Sequence, residues 1–423
     1  MPSSHFYNLR RQRELQKKMS DTSKCIWYIS KYATPLKYGF GSRHFYLARE
    51  FNKSGHHTVM IASDSNHLAQ IPEFDHLYTK EVIDGVETWW LKTIRYKGVN
   101  SFRRMLSWID FELKLLLMPK KMMAKPDVII CSSLSLFTIL NGYLLKKRFH
   151  CKLIFEVRDI WPLTIIEEGG FNPRNPFVMF LAWVEKFGYR NADIIVGTMP
   201  NLSEHVKVTC GEELNCRCVP FGYDPALYEQ QEPLPEGHEE LYIPENKFIV
   251  GYAGSIGLTN ALETLMQCAS AMKDNPYIHF LLLGSGDLLE EYKARTSGLT
   301  NITFVPKVKK TQVQMFLRHC QVLYFSVHDS KVWRYGLSLN KLIDYMLAAK
   351  PIIASYSGYP SMVNEAQCGT FVPAGDFSAL VRTILEYQQL PKDQLDEIGK
   401  RGREWLLKNR PYEKVAMEYC KLF

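Results

Sequence analysis

The sequence predicts a doubly wound α/β protein built as two halves, and three observations carry that prediction. Apolar runs of strand length alternate with helical patterns along the chain, the signature of parallel βαβ units. Its 423 residues exceed what one ordinary core organises. Residues 229–246, EQQEPLPEGHEELYIPEN, interrupt the alternation with proline, acid and few apolar residues, and read as a linker.

The elements follow in order. Residues 1–24 are basic and polar and read as a disordered tail, with Met19 an alternative start; the apolar CIWYIS behind them is too short for a signal peptide. Strands are expected at 25–30, 58–62, 127–131, 152–156, 193–196 and 216–220, with 86–94 a further candidate. The first helix, 42–54, buries Phe45, Ala48 and Phe51 and stops at Gly55, a natural C-terminal cap. Beyond the linker, strands are expected at 247–253, 278–283, 301–305, 321–327 and 351–355. Asn260 and Glu263 suit a capping box for a helix over 260–273. The segment 396–423 reads as helical with a break at Pro411. A cleft is expected between the halves.

Composition narrows the class. Hydrophobic content of 46% and charged content of 23% belong to a folded, soluble chain. The net charge of +8 suits an anionic membrane face, nucleotides or nucleic acid without choosing among them. Ten cysteines contain no CxxC pair, and Cys210, Cys216 and Cys218 lack zinc spacing, so free thiols in a reducing cytoplasm are expected. No apolar run approaches the ~20 residues that span a bilayer. Neither HExxH, Asp-x-Asp, GxSxG nor GxxxxGK[ST] occurs. His44 reads as a surface histidine, with ligand contact the alternative.

The stretch from Gly336 to Pro351, GLSLNKLIDYMLAAKP, is the richest in chemistry. Leu339, Leu342, Ile343, Met346 and Leu347 recur at helical spacing. That groups Ser338, Asn340, Lys341 and Asp344 at the helix start, where a cation beside free amides suits phosphate and a carboxylate one turn in suits ribose hydroxyls. Gly39 and Gly41 lie in Tyr38-Gly39-Phe40-Gly41, between the first strand and first helix, and either line a ligand or turn the chain. Asp64 keeps a dinucleotide-binding alternative open. Gly254, Ser255 and Gly257 in GYAGSIG and Gly284 and Ser285 in GSGD form two strand-to-glycine turns able to present amides and hydroxyls to phosphate. EVRDIWP at 156–162 follows a strand directly, where ligands of open sheets bind. There Asp159 or Glu156 would contact a sugar with Trp161 as platform, or Arg158 pairs with a carboxylate and Trp161 is core. The window 102–125, with six basic and two acidic residues among large apolar ones, suits a membrane interface or lipid acceptor, or else an ordinary core-facing helix.

Together YGFGSRHFYLAREFNKSGH, RDIWP, VPFGYDP, YAGSIG, LLLGSGD and KLIDYMLAAKPIIAS resemble glycosyltransferase family four of the GT-B fold, in order and over nearly the whole chain from residue 25. The nearest likeness is to the bacterial surface-polysaccharide subgroup of fucosamine-type, aminodeoxysugar transferases. The resemblance implies two Rossmann-like domains facing a central cleft, an acceptor domain at 25–228, a nucleotide-sugar domain at 247–400 and a C-terminal helix, 401–423, packing back on the first domain. It implies a retaining, metal-independent transferase without cofactor, moving an N-acetylated hexosamine or deoxyhexosamine from UDP to a lipid-linked acceptor in O-antigen or capsule synthesis. The place implied is the cytoplasm, with peripheral contact to the inner membrane through 102–125 and no nucleic-acid partner.

By position, Asp344 resembles the second acid of the family's Glu-x7-Glu motif, on ribose. Lys341 and the amides of Leu337, Ser338 and Leu339 would neutralise the diphosphate, which Gly39 and Gly41 approach from the other side. Asp159 would face the reacting sugars, and the backbone through Lys307 would meet the base. The sequence departs at Gly336, where the first glutamate belongs, and at Ser255 and Asn260, where many members carry arginine and lysine. Charge neutralisation then falls to Lys341, with Arg334 or Lys331 as further candidates. Rival readings are a non-hydrolysing UDP-sugar 2-epimerase, a nicotinamide-dependent dehydrogenase and a catalytically inactive GT-B partner module.

Overall fold

The computed structural model describes residues 23–423 apart from 40, 67–68, 97–101 and 134, so residues 1–22 of the expected tail lie outside the described residues. The chain divides into two compact units. The first comprises the described residues through Thr164, Phe171–Pro220 and Tyr412–Phe423; the second comprises Ile165–Gly170 and Phe221–Pro411.

The first unit is organised on an eight-stranded sheet. Its strands are β1 (Cys25–Ile29), β2 (His57–Ser63), β3 (Tyr78–Ile83), β4 (Val86–Leu91), β5 (Val128–Ser132), β6 (Lys152–Val157), β7 (Ile194–Gly197) and β8 (Cys216–Cys218). Their order is β3-β4-β2-β1-β5-β6-β7-β8, parallel except for the β3–β4 hairpin. Helices α1 (Arg43–Lys53), α2 (Phe102–Leu117), α3 (Thr138–Phe149) and α4 (Pro176–Asn191) make the main crossovers. Because β1 lies between β2 and β5, the winding reverses beside it, which opens the C-terminal strand edge there to ligands. Strand β3 escaped the sequence reading, although Asp84-Gly85 between two apolar runs is a hairpin signal; both residues take positive φ, 49° and 77°.

The second unit has a six-stranded parallel sheet of β9 (Phe248–Ala253), β10 (Ile278–Leu283), β11 (Ile302–Val305), β12 (Val322–Ser326), β13 (Ile352–Ser355) and β14 (Gly369–Val372). The order β11-β10-β9-β12-β13-β14 reverses at β9. Helices α5 (Glu263–Ala271), α6 (Asn340–Leu347), α7 (Phe377–Gln389) and α8 (Lys392–Asn409) cover it. Strands β9, β10, β12 and β13 are buried on both faces, which explains why they read as unbroken apolar runs rather than alternating ones. Strand β14 was not expected; its GTFV is too short and too polar at its start to stand out.

The boundaries differ from the expected ones. Residues 229–246 are not a free linker: Leu234 is buried in the second unit's core, Tyr242 and Ile243 pack on it, and Glu232 accepts a hydrogen bond from Thr311. The chain changes unit at Phe221. Helix α8 also stays in the second unit, with Gly399 so close to α6 that a methyl group there would sit 2.0 Å from the Ala349 carbonyl. Only beyond Pro411 does the chain join the first unit, as α9 (Tyr412–Cys420). This helix lies on α1, where Tyr412 stacks on Tyr46 with ring centroids 4.9 Å apart.

Candidate functional site

Helix α6 is fastened beneath the reversal point of the second sheet. The Tyr345 hydroxyl accepts from the Ala253 amide (2.9 Å) and donates to the Tyr324 carbonyl (3.0 Å), tying α6 to the end of β9 and the middle of β12. The apolar stripe of Leu342, Ile343, Met346 and Leu347 is buried as its spacing predicts. The N-cap residue Leu339 has no side chain able to cap, so no side chain takes up the first-turn amides, of which Leu342's donates to the Leu339 carbonyl (3.3 Å).

Lys341 rises from that first turn. Its ammonium donates to Asn260 Oδ1 (2.5 Å) and the Tyr252 hydroxyl (3.2 Å), and stands 4.7 Å from the centroid of the Tyr252 ring. Among the described residues no carboxylate pairs with it. Burial without a neutralising acid lowers its pKa from 10.5 to about 7. The Tyr252 hydroxyl donates to the Ser255 carbonyl (2.5 Å), which brings the cation beside the first glycine turn. Asn260 thus serves Lys341 instead of capping α5, whose N-cap is Leu262 with no side-chain bond. The capping-box expectation is corrected: a turn of 3₁₀ helix, Leu258–Asn260, carries Asn260 away from the helix start.

The two glycine turns are zipped to one another. Gly254 donates to the Leu283 carbonyl (3.0 Å), Ile256 to that of Ser285 (2.9 Å) and Leu288 to that of Ile256 (3.2 Å). A methyl group on Gly284 would stand 1.9 Å from the Gly254 oxygen, and one on Gly286 2.1 Å from the Ile256 oxygen. Close backbone packing therefore explains Gly284 and Gly286 without a ligand. Gly254 is different, since a side chain there would point toward Lys341 Nζ, 3.5 Å away. Ser255 and Ser285 are exposed at the turn tips. Gly257 sits against the Asp287 carboxylate, a poor neighbour for phosphate.

Leu337 is buried, Ser338 and Leu339 half-buried, and Lys307 exposed beyond the end of β11. Gly336 ends a 3₁₀ turn, Lys331–Tyr335, with φ 111°. That backbone conformation strains any residue with a Cβ, which is a physical reason for the missing glutamate.

Asp344 does not stand open. Both its oxygens accept from Lys310 Nζ (2.5 Å each), and Oδ1 also accepts from the Tyr228 hydroxyl (2.7 Å). Lys331 is likewise engaged, paired with Glu167 at 3.2 Å.

In the first unit, Glu156 is not the sugar contact that its position suggested. Its carboxylate is fully enclosed, accepting from Tyr28 (2.8 Å), Ser132 (3.0 Å) and Arg43 (3.1 Å). A carboxylate near the end of a strand buried on both faces requires such partners, and Arg43, the first residue of α1, supplies the charge. His44, expected on the surface, is fully buried; its Nε2 lies 2.9 Å from Ser132 Oγ, and burial beside Arg158 and Arg43 holds it far below the usual histidine range. Asp64 is buried too, with Oδ1 accepting from the Thr93 amide (2.8 Å).

Asp159 lies in the turn after β6, half-buried, and desolvation raises its carboxyl above the ordinary value while Arg158 pulls it back. Trp161 packs edge-on against Trp108 at 5.7 Å. Gly39 takes φ 94° with open space around it, and Gly41 lies under Tyr46; Phe40 falls outside the described residues. Among the described residues no three His, Cys, Asp or Glu side chains gather to hold a metal ion.

Residues 247–389 match the family described as Glycosyl transferases group 1. The whole chain is similar in fold to sucrose-phosphate synthase from Thermosynechococcus elongatus: TM-score 0.72, 19% identity, covering 94% of this chain and 98% of that one. It is likewise similar to the E. coli trehalose-6-phosphate structure bound with UDP-2-fluoro glucose (TM-score 0.70, 12% identity, 94% and 98% covered). Anabaena Alr3699/HepE in complex with UDP and glucose is a further neighbour (TM-score 0.61, 12% identity, 94% and 99% covered). A segment of 68 residues is 35% identical to the putative colanic acid biosynthesis glycosyl transferase WcaI of Escherichia coli (strain K12). That segment spans 17% of the length of this curated relative and 16% of the present chain. The two Rossmann-like α/β units are those of the GT-B fold, as expected, and the match to the group 1 model lies within the second unit.

Proposed function

We propose that the protein transfers a sugar from a nucleotide diphosphate, UDP, to a hydroxyl of a lipid-linked glycan in bacterial surface-polysaccharide synthesis. The observation that carries this reading is the Lys341 ammonium, held by two neutral groups at the start of α6 beside Gly254. A buried cation without a counter-ion is costly, and a diphosphate would relieve that cost. Further support comes from the group 1 domain match, from structural neighbours whose names include UDP, and from the segment shared with a putative colanic acid transferase.

In this reading Lys341 and the α6 amides bear the charge that grows on the departing phosphate, where preorganised donors supply several kcal/mol. The bond between the anomeric carbon and the diphosphate oxygen breaks, the acceptor oxygen bonds to that carbon on the same face, and its proton passes to the departing phosphate. Configuration is retained with neither enzyme nucleophile nor metal. Asp344, reached through its Lys310 pair, would take ribose hydroxyls, and Asp159 would contact the acceptor. The donor sugar is an N-acetylated hexosamine or deoxyhexosamine, and ten free cysteines suit a cytoplasmic place for the reaction.

The test is calorimetry of UDP binding to the parent and to Lys341→Ala, joined to product analysis with UDP-N-acetylhexosamines. The expected result is binding that weakens about thirtyfold in the variant, from the roughly 2 kcal/mol of a charge-assisted hydrogen bond, and no epimer without acceptor. Unchanged affinity overturns the reading. Acceptor-free epimer formation replaces it with the epimerase.

A further inference from the structure

The second unit takes six residues from the first half of the sequence. After RDIWP the chain forms a short helix, Leu163–Glu167, and Ile165–Gly170 belong to the second unit before the first resumes at Phe171. This detour sets Glu167 against Lys331, 164 residues away in sequence. One carboxylate oxygen accepts from the Lys331 main-chain amide (3.4 Å), and the other stands 3.2 Å from the Lys331 ammonium. That amide is the first of the 3₁₀ turn Lys331–Tyr335, where a helical turn leaves its donors without partners of its own and favours a negative charge.

The rest of the turn is pinned from within the second half. The Ser330 hydroxyl accepts from the Val332 amide (3.2 Å). The Trp333 carbonyl accepts from the Tyr359 amide (2.9 Å), and a methyl group on Gly358 would stand 2.5 Å from that oxygen. The Trp333 ring packs edge-on against Tyr356, with centroids 6.5 Å apart. Beyond the turn come Gly336, then the amides of Leu337, Ser338 and Leu339, then α6. Gly336 has no side chain to stiffen the joint. The three amides therefore lie where the turn on one side and α6 on the other hold them. Tyr345 fastens α6; Glu167 and Tyr359 fasten the turn. The Lys331 side chain is 63% exposed, so its pair with Glu167 adds little to stability.

We infer that Glu167 is a positioning residue for donor binding: it holds the Lys331–Tyr335 turn and, through it, the amides of residues 337–339. The inference rests on the nucleotide-diphosphate reading of α6 and adds to it a residue from the first half of the sequence. UDP is titrated by calorimetry into the full chain and into Glu167→Ala, Lys331→Glu and the exchange Glu167→Lys/Lys331→Glu, at low and at physiological salt. Glu167→Ala is expected to weaken binding about fivefold, the upper end for a partly exposed pair, and the loss should shrink as salt screens the charges. Lys331→Glu sets two acids together and should weaken binding further, and the exchange should recover most of that loss. Thermal unfolding of the free protein should move little in every variant. Recovery in the exchange marks the pair itself, since a merely structural defect would lower the unfolding temperature and persist in the exchange; that outcome overturns the inference. Tighter binding by Glu167→Ala also overturns it, because Glu167 would then be withholding Lys331 from the phosphates. Parent binding with unchanged affinity in Glu167→Ala overturns this inference alone, whereas a parent that binds no UDP overturns the sugar-transfer reading and this inference with it.

Discussion

UDP titrated into the protein at rising pH tests the Lys341 site through protons. The free ammonium has its pKa lowered to about 7 by burial, so near pH 9 only about one molecule in a hundred carries the charge. The terminal phosphate of UDP, with a pKa of about 6, is already fully ionised in this range. A diphosphate seated beside Lys341 favours the charged form, so binding above pH 7 must draw a proton from solvent. Affinity should fall about fiftyfold between pH 7 and pH 9, approaching tenfold per pH unit at the upper end. The assay is calorimetry in two buffers of different ionisation enthalpy, where proton uptake appears as a buffer-dependent heat. Lys341→Ala should bind more weakly at pH 7, with neither pH dependence nor buffer dependence. Affinity flat from pH 7 to 9 in the parent, with equal heats in both buffers, would refute the reasoning. Stability is the poorer readout. The unfolded chain holds the Lys341 proton up to its ordinary value of 10.5 while the folded chain releases it near 7, so this group favours folding increasingly between those values. Buried Lys31, also lowered to about 7 by burial, adds a change of the same sign.

Three further predictions follow from the packing. Glu156→Gln strands the buried Arg43 charge and should destabilise the protein by about 3 kcal/mol in urea unfolding; a loss below about 1 kcal/mol would contradict the enclosure described. Gly284→Ala forces a methyl group into the Gly254 carbonyl and should cost about 1–3 kcal/mol while weakening UDP binding, both measurable by thermal shift with and without nucleotide. Asp344→Asn breaks a pair whose lysine is partly exposed, so the expected stability loss is only about 1 kcal/mol; a variant as stable as the parent would show that the Lys310 contact contributes nothing.

Much of the fold was legible because its signals are local. Runs such as FIVGYA and IHFLLL lie in strands buried on both faces, and the α6 stripe declares its buried side through spacing alone. The Asp84-Gly85 hairpin signal is equally local. Lys341 was legible as well, because a cation in the first turn of a capless helix is a pattern within a few residues. Asn260 and Tyr252, its neutral partners, stand 81 and 89 residues away in sequence, and nothing local relates them to it.

What the sequence by itself determined was the alternation of elements, the two-half organisation and the place of Lys341 in the first turn of α6, since each depends on backbone periodicity. The tertiary structure alone decided which polar groups are spent. It closed Glu156 with Arg43, engaged Asp344 with Lys310, drew residues 229–246 into a core and left the leucines of α2 uncovered. The reason is physical: a side chain's availability depends on desolvation and on partners brought near by chain crossovers, and neither is encoded in its own neighbourhood.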